Sequence, residues 1–255
     1  MPPDAGASAA APLLDLRQIS RRFGALKVID RLDLQVQPGE ALGIIGPNGA
    51  GKTTLMNLIS GDLAVNEGRV LFDGRDVTTL SAAERCRVGV ARSYQVPHPF
   101  VGLTVFENVL VGAVFGSGMT ERAARPHARV VLERTGLADK ADRLAGSLPL
   151  LDRKRLELAR ALATRPRLLL LDEIAGGLND HEVPALLQTI RSIGAEGVTL
   201  VWIEHIVHAL LAVVNRLVAL DFGRKVTEGE PSVVMADPAV REIYMGIDVN
   251  EGVAS

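Results

Sequence analysis

The chain has 255 residues, 47% of them hydrophobic, which suffices for one large α/β domain with a sizeable core and excludes a disordered protein. Its 28 basic and 30 acidic residues leave a formal net charge of −2 and no overall basic footprint for nucleic acid. A single cysteine, Cys86, excludes an intramolecular disulfide and fits a reducing compartment, where it reads as a small packed residue.

Met1 to Pro12 is rich in Ala and Pro, lacks the basic n-region and continuous apolar core of a signal peptide, and reads as a disordered leader. Leu13 to Ser20 and Val28 to Val36 read as strands, the second with alternating Ile29, Leu32, Leu34 and Val36, before Pro38-Gly39 turns the chain into an apolar strand, Ala41 to Ile45. Helix-compatible sequence follows from Thr53 to Ser60. Arg69 to Phe72 is a short strand ended by the turn dipeptide Asp73-Gly74, and Val88 to Tyr94 is another strand. From Leu103 to about Ala163 the periodicity is helical, with Val130, Val131, Leu132 and Leu137, then Leu156, Leu158, Ala159 and Leu162. Strand signals return at Leu168 to Leu171 and Val198 to Ile203, each followed by helical sequence, the βαβ rhythm of a parallel sheet. The longest apolar-looking stretch, Val198 to Leu220, is broken by Glu204, His205, His208, Asn215 and Arg216, so it reads as strand, helix, strand and not as a membrane span. Membrane association would then come through a protein partner.

Between the strand Ala41 to Ile45 and the helix after it lies Gly46-Pro47-Asn48-Gly49-Ala50-Gly51-Lys52-Thr53, which fits G-x-x-x-x-G-K-[ST]. Glycines let backbone N–H groups turn inward around a phosphate, the lysine reaches terminal phosphates, and the helix aims its positive N-terminus at the anion. A nucleoside triphosphate is the expected ligand, although P-loops serve GTPases, kinases, helicases and transporter motors alike. Arg167-Leu168-Leu169-Leu170-Leu171-Asp172-Glu173 is a strand apolar on both faces that delivers two acids to its C-terminal end, where ligands bind in such sheets. Asp172 would face Mg²⁺, usually through water, and Glu173 would orient or activate the attacking water. Gln95, the first polar group after its strand, reads either as a Mg²⁺ and γ-phosphate sensor or as a loop amide. His205 reads either as a donor to the γ-phosphate or as a structural histidine. Phe23, beside Gly24, is placed to stack on a purine, the alternative being ordinary packing.

Taken together, Phe23, GPNGAGKT, Gln95, LLLLDE, the turn GGLN and the histidine of WIEH resemble the nucleotide-binding subunit of an ATP-binding cassette (ABC) transporter, over nearly all residues after the leader. The resemblance implies a P-loop NTPase fold of the α/β class: a parallel-sheet core with an N-terminal antiparallel β portion and an inserted helical subdomain. It implies one domain over 13–250, with the core at 13–95 and 165–250 and the helical subdomain at 96–164. ATP and Mg²⁺ are the implied cofactors. Phe23, Val28, Gly46, Pro47, Asn48, Gly49, Ala50, Gly51, Lys52, Thr53, Thr54 and Gln95 would bind the nucleotide, and Thr53, Gln95 and Asp172 the Mg²⁺. Glu173, His205 and Lys52 would be catalytic. ATP would sit between one chain's P-loop and a partner chain's signature segment in a head-to-tail dimer.

Narrower segments look most like the ATPases of branched-chain or hydrophobic amino-acid importers: Val90-Ala91-Arg92-Ser93-Tyr94-Gln95, Leu103-Thr104-Val105-Phe106-Glu107-Asn108, Ala175-Gly176-Gly177-Leu178-Asn179, and the ending Asp237-Pro238-Ala239-Val240 through Tyr244-Met245-Gly246. Importers for urea and amides share much of this, and a non-transport cassette protein acting on nucleic acid or translation is the rival from another class. The implied partners are transmembrane permease subunits and, through them, a substrate-binding protein, with the chain held peripherally at the cytoplasmic face of the inner membrane and no nucleic acid bound. The signature departs from the usual Leu-Ser-Gly-Gly-Gln: here it reads Leu148-Pro149-Leu150-Leu151-Asp152. Proline removes a hydroxyl and an N–H, and two leucines crowd where glycines would let backbone approach a phosphate. That asymmetry favours a heterodimer with a paralogous ATPase over a homodimer. Ile174, Asn179 and Asp180 are smaller departures that remove no catalytic group.

Overall fold

The computed structural model describes residues 11–245. All of the leader except Ala11 and Pro12, and the end of the chain from Gly246, lie outside the described residues. The first strands, β1 (Leu14–Phe23) and β2 (Leu26–Val36), pair antiparallel. In β2, Leu32, Leu34 and Val36 face the core, but Ile29 is three residues from Leu32, out of phase for a regular strand. A bulge restores the phase: Arg31 takes φ +48° and gives its N–H to Ser20 Oγ at 3.0 Å, and the β1–β2 register shifts there. After β3 (Ala41–Ile45) and the P-loop comes α1 (Lys52–Ser60), then β4 (Glu67–Phe72) and β5 (Arg75–Asp76) around the Asp73-Gly74 turn. A capping box between Ser81 and Glu84 starts α2 (Ala82–Val88), which Gly89 ends in the left-handed region. The strand expected from Val88 is therefore shorter, β6 (Val90–Ser93), because Val88 closes a helix.

A second capping box, Thr104 with Glu107, starts α3 (Val105–Val111), continued by a π-helical turn at Gly112–Gly116. Then come α4 (Glu121–Arg134), two short 3₁₀ turns, and α5 (Leu150–Ala163), whose N-cap is Pro149 with no capping hydrogen bond. The remainder alternates: β7 (Leu168–Asp172), α6 (Val183–Ala195), β8 (Thr199–Ile203), α7 (Val207–Leu211), β9 (Arg216–Asp221), β10 (Arg224–Gly229), α8 (Pro231–Ala236) and α9 (Pro238–Met245).

Two sheets result. The antiparallel sheet has order β2-β1-β4-β5, and the central sheet has order β10-β9-β3-β8-β7-β6, parallel except for β10 at its edge. Period-two alternation divides the central strands between two cores. Leu168, Leu170, Val201, Ile203, Leu42 and Ile44 join the antiparallel sheet and α1 on one face. Leu169, Leu171, Leu200, Trp202 and Leu217 join the helices on the other, with α3, α4 and α5 in the same cluster. Burial on both faces explains why these strands read as unbroken apolar runs. Parallel pairing of β3 with β8, β8 with β7 and β7 with β6 puts the C-terminal ends of these strands at one edge of the sheet. Among the described residues no helix is long and apolar enough to cross a membrane.

Candidate nucleotide-binding site

The P-loop bends from β3 into α1 through Gly49 and Gly51, at φ +86° and +99°. Gly51 is the residue before the first helical turn, and a Cβ on it would lie 2.8 Å from the carbonyl oxygen of Val28, so β2 seals the outside of the loop. Helix α1 has no side-chain cap and no acid in its first turn, which leaves the positive end of the helix unneutralised toward the loop. Lys52 is buried and curls over the loop, its Nζ donating to the carbonyl oxygens of Gly46 at 2.6 Å and Pro47 at 3.0 Å. Burial pushes its pKa down and the charge of Glu173 pushes it back up, which places those two side chains within electrostatic reach.

Three neighbouring strands deliver the acids and their partners. Glu173 leaves β7 with φ +47°, a left-handed conformation uncommon for a non-glycine residue, while its N–H still continues the ladder to Ile203 O at 2.9 Å. Its Oε1 lies 2.7 Å from His205 Nε2, just past β8, and its Oε2 accepts from Gln95 Nε2, just past β6. Asp172 is buried and ion-paired to Arg92 of β6. A cleft of about 180 Å³ is lined by Val28, residues 48–54, Glu173 and His205. The structure thus brings the P-loop, Val28, Thr54, Glu173 and His205 to one cleft, joins Gln95 to it through Glu173, and sets Asp172 behind it. Phe23 lies outside this cleft at the end of β1, half-exposed, with the Arg21 guanidinium 4.7 Å from its ring centroid.

Sequence reasoning missed two residues and gave a third no role. Glu204 is buried and accepts N–H groups of Ala175, at 3.0 Å, and His205, at 3.1 Å, so one carboxylate shapes both the turn after β7 and the loop carrying His205. Burial raises its pKa, and those backbone donors work against the rise. Lys154 of α5 is buried, with Nζ 3.4 Å from Gln95 O, and burial lowers its pKa against the pull of Glu204 and Glu173. Arg92, within the segment Val90 to Gln95, carries no role in the sequence reading. The available signal was a charged residue inside a run of strand or helix residues that are otherwise buried. In the signature segment, Leu150 is exposed and leans on Gly177, where a Cβ would lie 3.3 Å from its Cδ2. Asp152 is buried in ion pairs with Lys140, at 2.7 Å, and Arg155, at 3.6 Å.

The family profile described as ABC transporter matches residues 29–176, from β2 through the P-loop to the turn after Glu173. This chain belongs to the ABC transporter family. It is similar to the high-affinity branched-chain amino acid transport ATP-binding protein BraF of Pseudomonas aeruginosa, 33% identical over 250 residues that cover 92% of this chain and 98% of that protein. The protein of the same description, LivG of Escherichia coli, is 32% identical over 92% of this chain and 98% of its own length. Among solved structures, the ADP conformation of an ATP-binding cassette of an ABC transporter superposes with a TM-score of 0.86, at 33% identity over 93% of this chain and all of that one. As a member of this ABC family the chain is an ATP-binding and ATP-hydrolysing transporter subunit. The expected fold, a P-loop ATPase core with an N-terminal antiparallel sheet and inserted helices, holds.

Proposed function

We propose that this ATPase powers import of branched-chain or other hydrophobic amino acids, as the names of BraF and LivG and the four segments quoted above suggest. Its domain would run over 13–250, with 96–164 as the helical subdomain. The observation that carries the catalytic reading is the meeting of Glu173 with both Gln95 and His205 at the cleft that Lys52 enters. In this reading the N–H groups of residues 49–53 and the Lys52 ammonium hold the phosphates, Thr54 assists at the α-phosphate, and Phe23 stacks on adenine from outside the cleft. Glu173 orients water for in-line attack on the γ-phosphate, Gln95 holds that carboxylate from one side, and His205 donates to the charge developing on the phosphoryl oxygens.

Mg²⁺ fits the donors present: Thr53, Gln95 and Asp172 offer hard oxygen ligands. One carboxylate with the remaining places left to water and phosphate oxygens is the arrangement Mg²⁺ favours. When bound, the ion would neutralise charge on the β- and γ-phosphates.

The signature supports a heterodimer with a paralogous ATPase: Pro149 offers no N–H or hydroxyl, and Leu150 covers Gly177. Exposed Val96, Phe100 and Val101 would dock a cytoplasmic helix of the permease at the inner membrane, with a substrate-binding protein acting beyond it. The decisive experiment is Glu173→Gln in the assembled transporter. Phosphate release should fall by about 10²–10⁴-fold, the contribution of a positioned acid–base group, with ADP affinity retained. Turnover at the wild-type rate would refute the assignment.

A further inference from the structure

Arg92 stands on β6 with its side chain 5% exposed, and the side chain of Asp172, at the end of β7, is exposed to the same extent. One guanidinium nitrogen, Nη2, donates to Asp172 Oδ2, and the other, Nη1, reaches Asp62 Oδ2 at 3.1 Å, Asn57 Oδ1, and Ser60 Oγ at 3.4 Å. The Tyr94 ring lies 4.8 Å from the guanidinium carbon, and Nε is buried without a partner among the described residues. Arg92 therefore spans the C-terminal end of the P-loop helix α1 and the acidic end of β7. Among the described residues it is also the one side chain hydrogen-bonded to the Asp172 carboxylate.

We propose that Arg92 is a positioning residue that holds Asp172 as an ion pair and, by sharing that carboxylate, weakens the hold of the site on Mg²⁺. The inference rests on the reading of Asp172 as the Mg²⁺ carboxylate. Two effects act in the same direction. With Arg92 in place, a divalent cation approaching Asp172 meets a like charge within a few ångströms in a poorly solvated interior, where such repulsion is only weakly screened. Without it, the metal-free chain is left with a buried, uncompensated carboxylate, so the metal-free state rises in free energy relative to the metal-bound state. Loss of the positive charge should therefore strengthen the preference for Mg²⁺-nucleotide over nucleotide alone. The position of the guanidinium is set by Asn57, Ser60 and Asp62, so the compensation is tied to the helix that follows the phosphate loop.

The test is calorimetric titration of the full chain with ADP, with and without Mg²⁺, in wild type, Arg92→Met and Arg92→Lys. The ratio of the two dissociation constants reports the Mg²⁺ advantage, which a general loss of stability would not change. In Arg92→Met the advantage should grow by about tenfold or more, and in Arg92→Lys, which keeps the charge, it should stay near wild type. An unchanged or smaller advantage in Arg92→Met overturns the proposal. Should that variant not fold, Arg92→Gln, which loses the charge but can still hydrogen-bond to Asn57 and Asp62, is read in the same way. Asp172→Asn is the control for the underlying assignment. If it retains the full Mg²⁺ advantage, the reading of Asp172 fails, independently of Arg92.

Discussion

Gly223 and Gly74 share a backbone conformation, with φ +74° and +73°, but not their surroundings. Gly74 sits at the β4–β5 turn with nothing within 4 Å of where a Cβ would be. Gly223, at the β9–β10 turn, lies against β2: its Cβ would fall 2.1 Å from Val28 O and 2.9 Å from Ile29 Cα. Those are backbone atoms that cannot rotate aside, so alanine at 223 must push the hairpin away by more than an ångström. Two hydrogen bonds span that contact, Asp30 N–H to Gly223 O and Gly223 N–H to Ala50 O, both 3.0 Å. Either alanine has to adopt a left-handed conformation, which costs about 1–2 kcal/mol. Gly223→Ala loses in addition two buried-side hydrogen bonds at about 1 kcal/mol each. The expected costs are therefore about 1–2 kcal/mol for Gly74→Ala and about 3–4 kcal/mol for Gly223→Ala, a large share of a typical total of about 5–15 kcal/mol. Equilibrium urea unfolding measures both. Because Ala50 belongs to the phosphate loop, Gly223→Ala should also weaken ADP binding while Gly74→Ala leaves it unchanged. Equal destabilisation of the two variants, within about 0.5 kcal/mol, would refute the claim that the hairpin braces the nucleotide site.

The same brace carries a pH signature. Hydrogen bonds from Lys27 and Arg224 hold the Asp30 carboxyl down at about 2, so its contribution is fully present above the unfolded value near 3.8 and is lost as pH falls through about 2. Asp30→Asn should flatten the acid side of the stability profile between those limits, which urea midpoints across pH will read. The signature segment offers a gain of function: in the Glu173→Gln background, Pro149→Ser should return a backbone N–H and a hydroxyl, and Leu150→Gly with Leu151→Gly should uncover the N–H groups those side chains crowd. Each regained hydrogen bond to a charged phosphate contributes about 1.5–3 kcal/mol, so ATP-dependent self-association should tighten by about tenfold or more in sedimentation equilibrium. No change in self-association would show that these residues do not limit pairing of the chain with itself.

Local sequence was enough wherever chemistry depends on neighbours in the chain. GPNGAGKT announces a phosphate loop because its glycines, lysine and helix act within eight residues, and Leu168 to Glu173 announces a buried strand ending in acids because period and hydrophobicity are local. The alternation expected along β2 fails between Ile29 and Leu32, because a bulge at Arg31, held by Ser20 of the neighbouring strand, inserts an extra residue.

The tertiary structure decided everything that depends on which strands become neighbours. The order β8-β7-β6 sets Gln95, Glu173 and His205 within hydrogen-bonding distance although they are 78 and 32 residues apart along the chain. The pairing of β6 with β7 likewise puts Arg92 on Asp172, and the β9–β10 hairpin against β2 holds Gly223 on Val28. Glu204 acquires its role because backbone N–H groups of two separate loops, those of Ala175 and His205, converge on it. Sequence spacing reports the face on which a side chain stands, whereas its partner across the sheet is chosen by the packing of two cores on either side of that sheet. For this protein the sequence therefore determined the family and which atoms are the candidates for the nucleotide site. Tertiary structure determined which charges hold those atoms in place.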